Sequence, residues 1–174
     1  MKFLTAISPF IVTVSGLIED LYLHTNNDCG GSSLVCSKFP PNTCCGTSTN
    51  NSPYQSVALR GSNIQNLKLQ LRGYDGGNCK TLKTISGNNG NPWICNRSNG
   101  FRYTGCGYNP VSRKRAASEL NTECQRPDAL VLPDGTKYDL TGLNDDDFAS
   151  IVNISVEATK PADIPQRFQT LEIK

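Results

Sequence analysis

The sequence predicts a mainly β protein, an antiparallel sandwich or barrel stabilised by disulfides, with one α-helix near its C-terminal end. Three observations point there: short runs in which apolar and polar residues alternate, Gly/Asn/Pro clusters between them, and eight cysteines in 174 residues. A hydrophobic content of 37% with 15 glycines describes a loop-rich chain with a thin apolar interior. Such a chain needs covalent bonds to hold it.

Residues 1–16, MKFLTAISPFIVTVSG, start with Lys2, continue through mainly apolar positions and close with Val14 and Gly16 near a cleavage point. This is the pattern of a secretory signal peptide, which leaves residues 17–174 as a single exported domain. No other stretch approaches the roughly eighteen apolar residues of a membrane span. The end, FQTLEIK, has neither a lipid-anchor nor a retention signal.

The elements follow in order. LYLHT reads as a short strand and NNDCGGSS as a turn; SVALRG is the next extended run. In NLKLQLRG, Leu67, Leu69 and Leu71 alternate with Lys68, Gln70 and Arg72, the period-2 signature of a half-buried strand. GYDGGNC supplies a turn, KTLKTIS a strand, GNNGNP a longer turn before WIC, and FRYTGCGY one more strand. Residues 107–123 are polar and contain Arg113, Lys114 and Arg115. Pro133, Asp134 and Gly135 then make a hairpin turn between residues 130–132 and 137–140. The helix begins at Asn144 as cap, places Asp145, Asp146 and Asp147 at its positive end, and aligns Phe148, Ile151, Val152 and Val156 before Pro161.

Charge divides near the same place. Residues 17–115 carry eleven Lys and Arg against four acids, whereas the acidic hairpin and helix part, 116–174, carries five against eleven. Opposed halves attract and favour one body. The near-neutral sum excludes nucleic acid as a partner, because that requires a dense basic surface.

Cys29, Cys36, Cys44, Cys45, Cys79, Cys95, Cys106 and Cys124 read as a disulfide framework of an oxidising compartment. Cys44 and Cys45 are too close in the chain to pair with each other. Successive side chains of extended backbone point to opposite faces, so the pair can tie one segment to two others. Which sulfur joins which stays open among 105 pairings. No metal or cofactor is expected: the chain has one histidine, His24, and no paired cysteine knuckles of zinc spacing. No catalytic residue is expected either, since His24 reads as a polar surface residue and no serine lies in a nucleophile elbow.

Two processing signals remain. Asn50, Asn96 and Asn153 begin glycosylation sequons. Lys114 and Arg115 offer a kexin-type protease a cut after Arg115, against the alternative of an ordinary solvated charge run. Cys124 is the one cysteine beyond that cut, so a bridge from it must return to the N-terminal part.

The stretches DCGGSSLVC, PPNTCC, GYDGGNC and CQRPDALVLPDGTKYDL resemble the small secreted cysteine-rich proteins of filamentous fungi, some of which are treated as effectors in plant pathogens. The resemblance implies an extracellular protein that works by binding, and it brings no site residues. The expectation is a non-enzymatic monomer that binds and inhibits an extracellular protein of a host or competitor, such as an apoplastic protease, and contributes to virulence. Trp93, Arg102, Tyr103 and Tyr108, in the loops 87–93 and 99–108, are the expected contacts, being residue types favoured at hot spots. Two alternatives stay open: a toxin activated by the cut after Arg115, and a carbohydrate-binding module or small cell-wall enzyme, for which a single Trp makes a thin stacking platform.

Overall fold

Alternating and fully apolar runs assemble into two sheets in the computed structural model, which describes residues 19–49, 51–61, 63–111 and 124–174. The expected signal peptide, the cut after Arg115 and the Asn50 sequon lie outside the described residues. The strands are β1 (Glu19–His24), β2 (Ser33–Phe39), β3 (Cys44–Gly46), β4 (Ser56–Arg60), β5 (Leu69–Asp75) and β6 (Thr81–Gly87). They continue with β7 (Trp93–Arg97), β8 (Gly105–Pro110), β9 (Cys124–Gln125), β10 (Ala129–Val131), β11 (Lys137–Asp139) and β12 (Glu172–Ile173). The helices are α1 (Asp145–Ser155) and a single turn, α2 (Gln166–Gln169).

One sheet has seven strands in the order β12-β11-β10-β2-β1-β4-β7, the other five in the order β6-β5-β8-β3-β9. Neighbours are antiparallel except β3 and β9, which run parallel with Cys44 opposite Cys124. The two sheets share one core. Leu21, Leu23, Val57 and Leu59 from the larger sheet meet Leu69, Leu71, Cys106 and Tyr108 from the smaller. Fold class is therefore as the alternation indicates: mainly antiparallel β, cross-linked by disulfides, with short helices near the C-terminal end.

From Ala129 onward the acidic C-terminal part adds its strands β10, β11 and β12 to the larger sheet. β10 adds to β2, and the Asp128 carboxylate just before it accepts hydrogen bonds from the Ser37 amide and hydroxyl at 3.0–3.1 Å. The hairpin turn forms where Pro133, Asp134 and Gly135 place it. Gly135 takes the left-handed φ of +91° that its lack of Cβ permits, and its N–H donates to Leu132 O at 2.9 Å.

At the start of α1 the Asn144 side chain accepts from Asp147 N–H at 2.9 Å, and three aspartates occupy the first turn. Phe148, Ile151 and Val152 enter the core, but Val156 caps the helix and is exposed. The apolar stripe is thus one residue shorter than the sequence suggests. Replacing Asn144 by Ala is expected to destabilise the protein by about 1 kcal/mol in urea unfolding, since it leaves the Asp147 N–H without its partner. An unchanged midpoint would show that the aspartates alone hold this end.

Candidate functional site

The adjacent cysteines separate to opposite faces of β3. Cys45 faces the shared core and bonds to Cys36, while Cys44 faces the other side of the five-stranded sheet, beside Cys79 and Cys124. Cys29–Cys95 is a further bridge, between the loop after β1 and β7. Cys106, expected in a bridge, is instead a free and fully buried thiol. Its position on β8, directly opposite Cys45, turns it into the core, and burial pushes its pKa well up, which keeps it protonated.

Close packing of strands explains why the cysteine hub runs into glycine. Gly46 and Gly105 face each other across β3 and β8. A Cβ on Gly46 would lie 2.4 Å from Thr104 O, and one on Gly105 would lie 2.9 Å from both Cys45 O and Cys79 Sγ. The chain leaves β3 through this pinch, and residues 47–49 and 51–54, rich in Ser, Thr and Asn, lie opposite α1.

Between these residues and α1 lies a groove of about 480 Å³. One wall presents Thr47, Ser48, Thr49, Asn51 and Ser52; the other presents Phe148, Ala149, Val152 and Asn153 of α1. Tyr54 also lines it, and the Tyr54 hydroxyl is buried with no hydrogen-bond partner among the described residues. Burial raises its pKa, so it stays a neutral hydroxyl able to donate. The charged lining residues, Arg126 and Asp145, neutralise each other at 2.9 Å, and the Arg126 guanidinium also lies 4.7 Å over the Phe148 ring and donates to Leu143 O. The groove therefore has an apolar side, a hydroxyl and amide side, and no net charge.

A second groove, about 560 Å³, runs along residues 65–70 and 87–90. Its most buried polar side chain, Asn88, is fully used: the amide donates to Ile64 O and Leu67 O at 2.6–2.7 Å and accepts from Leu69 N–H at 3.1 Å. It offers a ligand less than the first.

The four expected contact residues are not brought together. Trp93 is 45% exposed on β7, with the Arg60 guanidinium 6.0 Å over its ring, and Arg102 is exposed in the loop before β8. Tyr103 and Tyr108 are core residues, contrary to expectation. The Tyr103 hydroxyl donates to Arg97 O at 3.1 Å and is hydrogen-bonded to Thr84 Oγ1, while the Tyr108 hydroxyl donates to Phe39 O at 2.8 Å. Each buries its ring and satisfies its oxygen on backbone, which removes both from any surface. Asn96 is likewise interior: its amide nitrogen donates to Leu71 O and Thr84 Oγ1, and a glycan there would force the sheets apart. Asn153 is exposed at the groove.

His24 corrects another expectation, for it is buried, 4% exposed, and stacked on Tyr22 with ring centroids 5.6 Å apart. Its pKa falls to about 4, through burial first and the Arg60 charge second; Asp28 and the Gly30 backbone pull the other way. Thr47, Ser48, Thr49, Asn51 and Ser52 were not recognisable as a site wall, although a polar Ser/Thr/Asn run directly after the cysteine hub is a usable signal.

Together these features define a disulfide-braced, two-sheet β protein with a neutral groove under its helix. A protein-family model described as "ARB_05566_N: N-terminal domain" matches residues 20–128, more than half of the chain, and the chain belongs to this family. It is also similar to an "Uncharacterized secreted protein" of the fungus Arthroderma benhamiae (strain ATCC MYA-4681 / CBS 112371). The two are 31% identical over 105 residues, which cover 58% of this chain and 55% of the relative. The chain thus spans about half the length of the curated relative it matches. No solved structure matches. The family is one of small secreted fungal proteins, and the chain is placed with it outside the cell. The matched residues contain all eight cysteines, β1 from Asp20 on and strands β2 to β9, whereas the α1 wall of the groove lies beyond them.

Proposed function

We propose that this is a secreted, non-catalytic binding protein, monomeric, that takes an extended segment of an extracellular host or competitor protein into the groove between residues 47–49 and 51–54 on one side and α1 on the other, and blocks that protein. The observation that carries the reading is the groove itself. One side suits apolar side chains, the other offers hydroxyls and amides to a peptide backbone, and the paired Arg126 and Asp145 leave no charge to select an anionic polymer. The sulfur cross-links beside Gly46 hold the polar wall in place before a ligand arrives, which lowers the ordering cost of binding.

A non-catalytic role is supported by His24. The chain's one imidazole is buried, and among the described residues no serine hydroxyl or cysteine thiol is hydrogen-bonded to either ring nitrogen, which speaks against its assisting such a nucleophile. An apoplastic protease is the target class that fits a rigid, disulfide-held ligand site, and virulence would follow from its inhibition.

Ala149 gives a clean test, because it is exposed on α1 and lines the groove. Ala149→Arg fills the groove while keeping a helix-forming residue, so its thermal midpoint should stay close to the parent's. Immobilised parent protein is expected to retain one stoichiometric protein from host extracellular fluid, and A149R to retain it at least about tenfold more weakly. Retention lost with Trp93→Ala and kept with A149R would move the site to β7. Retention of polysaccharide alone would end the reading.

A further inference from the structure

The eight sulfurs do not close into four bridges. Cys29–Cys95 and Cys36–Cys45 are complete pairs and Cys106 is a buried thiol. The other three gather on the outer side of β3, where the sulfurs of Cys44, Cys79 and Cys124 all lie within 4.8 Å of one another, so that either neighbour can be the disulfide partner of Cys44. A sulfur carries one disulfide, so the two contacts of Cys44 are alternatives. Both are reachable on a fixed backbone, because Cα of Cys44 lies 6.1 Å from that of Cys79 and 4.6 Å from that of Cys124.

Cys106 cannot absorb the sulfur left over. It shares the core side of its sheet with Cys45, whereas Cys79 Sγ rests against the backbone of Gly105 and Cys106 from the opposite side. Strand β8 itself stands between them. One member of the cluster must therefore stay unpaired within the chain.

We propose that Cys44, Cys79 and Cys124 form a thiol–disulfide exchange site, in which Cys44 passes one disulfide between two partners and the released sulfur reacts with external disulfides. In the internal step the Cys124 thiolate attacks Cys44 Sγ, the Cys44–Cys124 bond forms, the Cys44–Cys79 bond breaks, and Cys79 leaves as a thiolate that takes up a proton from water. The reverse step is the same reaction, with no net oxidation. In the external step the free thiolate attacks a low-molecular-weight disulfide, which leaves a mixed disulfide on the protein and expels the other half as a thiolate.

Burial assigns the roles. Cys44 is fully buried and is reached only from its two neighbours, while Cys79 and Cys124 are partly exposed and meet solvent. The two states also fasten different segments. A bond to Cys79 pins the β5–β6 turn, where Asn78 and Cys79 hold left-handed φ values of +47° and +50° that side chains adopt at a cost. A bond to Cys124 instead pins β9 to β3. Asn78 and Cys124 both line the first groove, so exchange changes which part of its wall is tied down.

Acid-quenched alkylation of the native, non-reduced protein followed by disulfide mapping decides the matter. Two linkages of Cys44 should appear, to Cys79 and to Cys124, with alkyl label on the complementary cysteine and on Cys106 only after denaturation. Cys79→Ser and Cys124→Ser should each fold and give a single linkage of Cys44. Incubation with oxidised glutathione should add one glutathione to the parent, on Cys79 or Cys124, and none to Cys44. Four bridges that include Cys106, one fixed linkage of Cys44 with no exchange, or stoichiometric zinc retained by three free thiols in the exported protein would each overturn the proposal.

Discussion

Replacing Cys29 and Cys95 together by alanine is expected to lower unfolding stability by roughly 4 kcal/mol, against roughly 2.5 kcal/mol for the same change at Cys36 and Cys45. The difference follows from the chain each bridge closes. Cys29 and Cys95 are 66 residues apart, Cys36 and Cys45 only 9, and a longer closed loop removes more freedom from the unfolded chain. The native contacts point the same way. Cys29 N–H donates to Ser56 Oγ at 3.0 Å, and Ser56 Oγ–H to Asn26 O, so the bridge fastens the loop that covers the outer side of β1 and β4 onto β7. Guanidinium unfolding of both double variants beside the parent is the measurement. Equal losses from the two would mean that strain or core packing, not loop closure, governs these bonds.

How much of this was legible in the sequence depended on whether the signal was local. The alternation of Leu69 and Leu71 with charged and polar neighbours marked β5, and Asn144 with three aspartates marked α1, because caps and periods act within a few residues. β2 escaped notice: in SLVCSKF the first four positions are all buried, so the strand follows a Gly-Gly turn without alternating. The parallel pairing of β3 with β9 joins residues 80 apart, and no local pattern encodes it. Tyr103 and Tyr108 show the same limit for sites. A tyrosine in a glycine-rich loop can stand on a surface or drive its ring inward and bond its oxygen to backbone, and only the position of the opposite sheet decides. The cysteine hub was readable in kind, since adjacent side chains in a strand must diverge. Its partners were not, because they come from distant turns.

Acid should weaken the protein through one side chain before the carboxylates take part. His24 titrates near 6.5 when unfolded and at about 4 when folded, so the folded state resists protonation while the unfolded chain accepts the proton. The stability that neutral His24 supports is whole above about pH 6.5 and is lost as pH falls toward 4, with ~2 kcal/mol gone by pH 5 and ~3 kcal/mol by pH 4. Asp139 and Asp163 have lowered pKa values, through hydrogen bonds from Thr141 and Thr159 respectively, so their contributions are lost as pH falls from the ordinary carboxylate range, where the unfolded chain takes up protons, down through those lowered values. The two processes therefore occupy separate windows. His24→Phe keeps a ring stacked on Tyr22 and removes the proton site, and its unfolding free energy should change between pH 7 and 5 by ~2 kcal/mol less than the parent's. Parallel curves for parent and variant would show that His24 is already solvated. The same experiment on the variant lacking Cys29 and Cys95 links both predictions: the loop carrying Asp28, Cys29 and Gly30 covers the imidazole, so freeing it should bring the pKa back toward 6.5 and flatten the acid response.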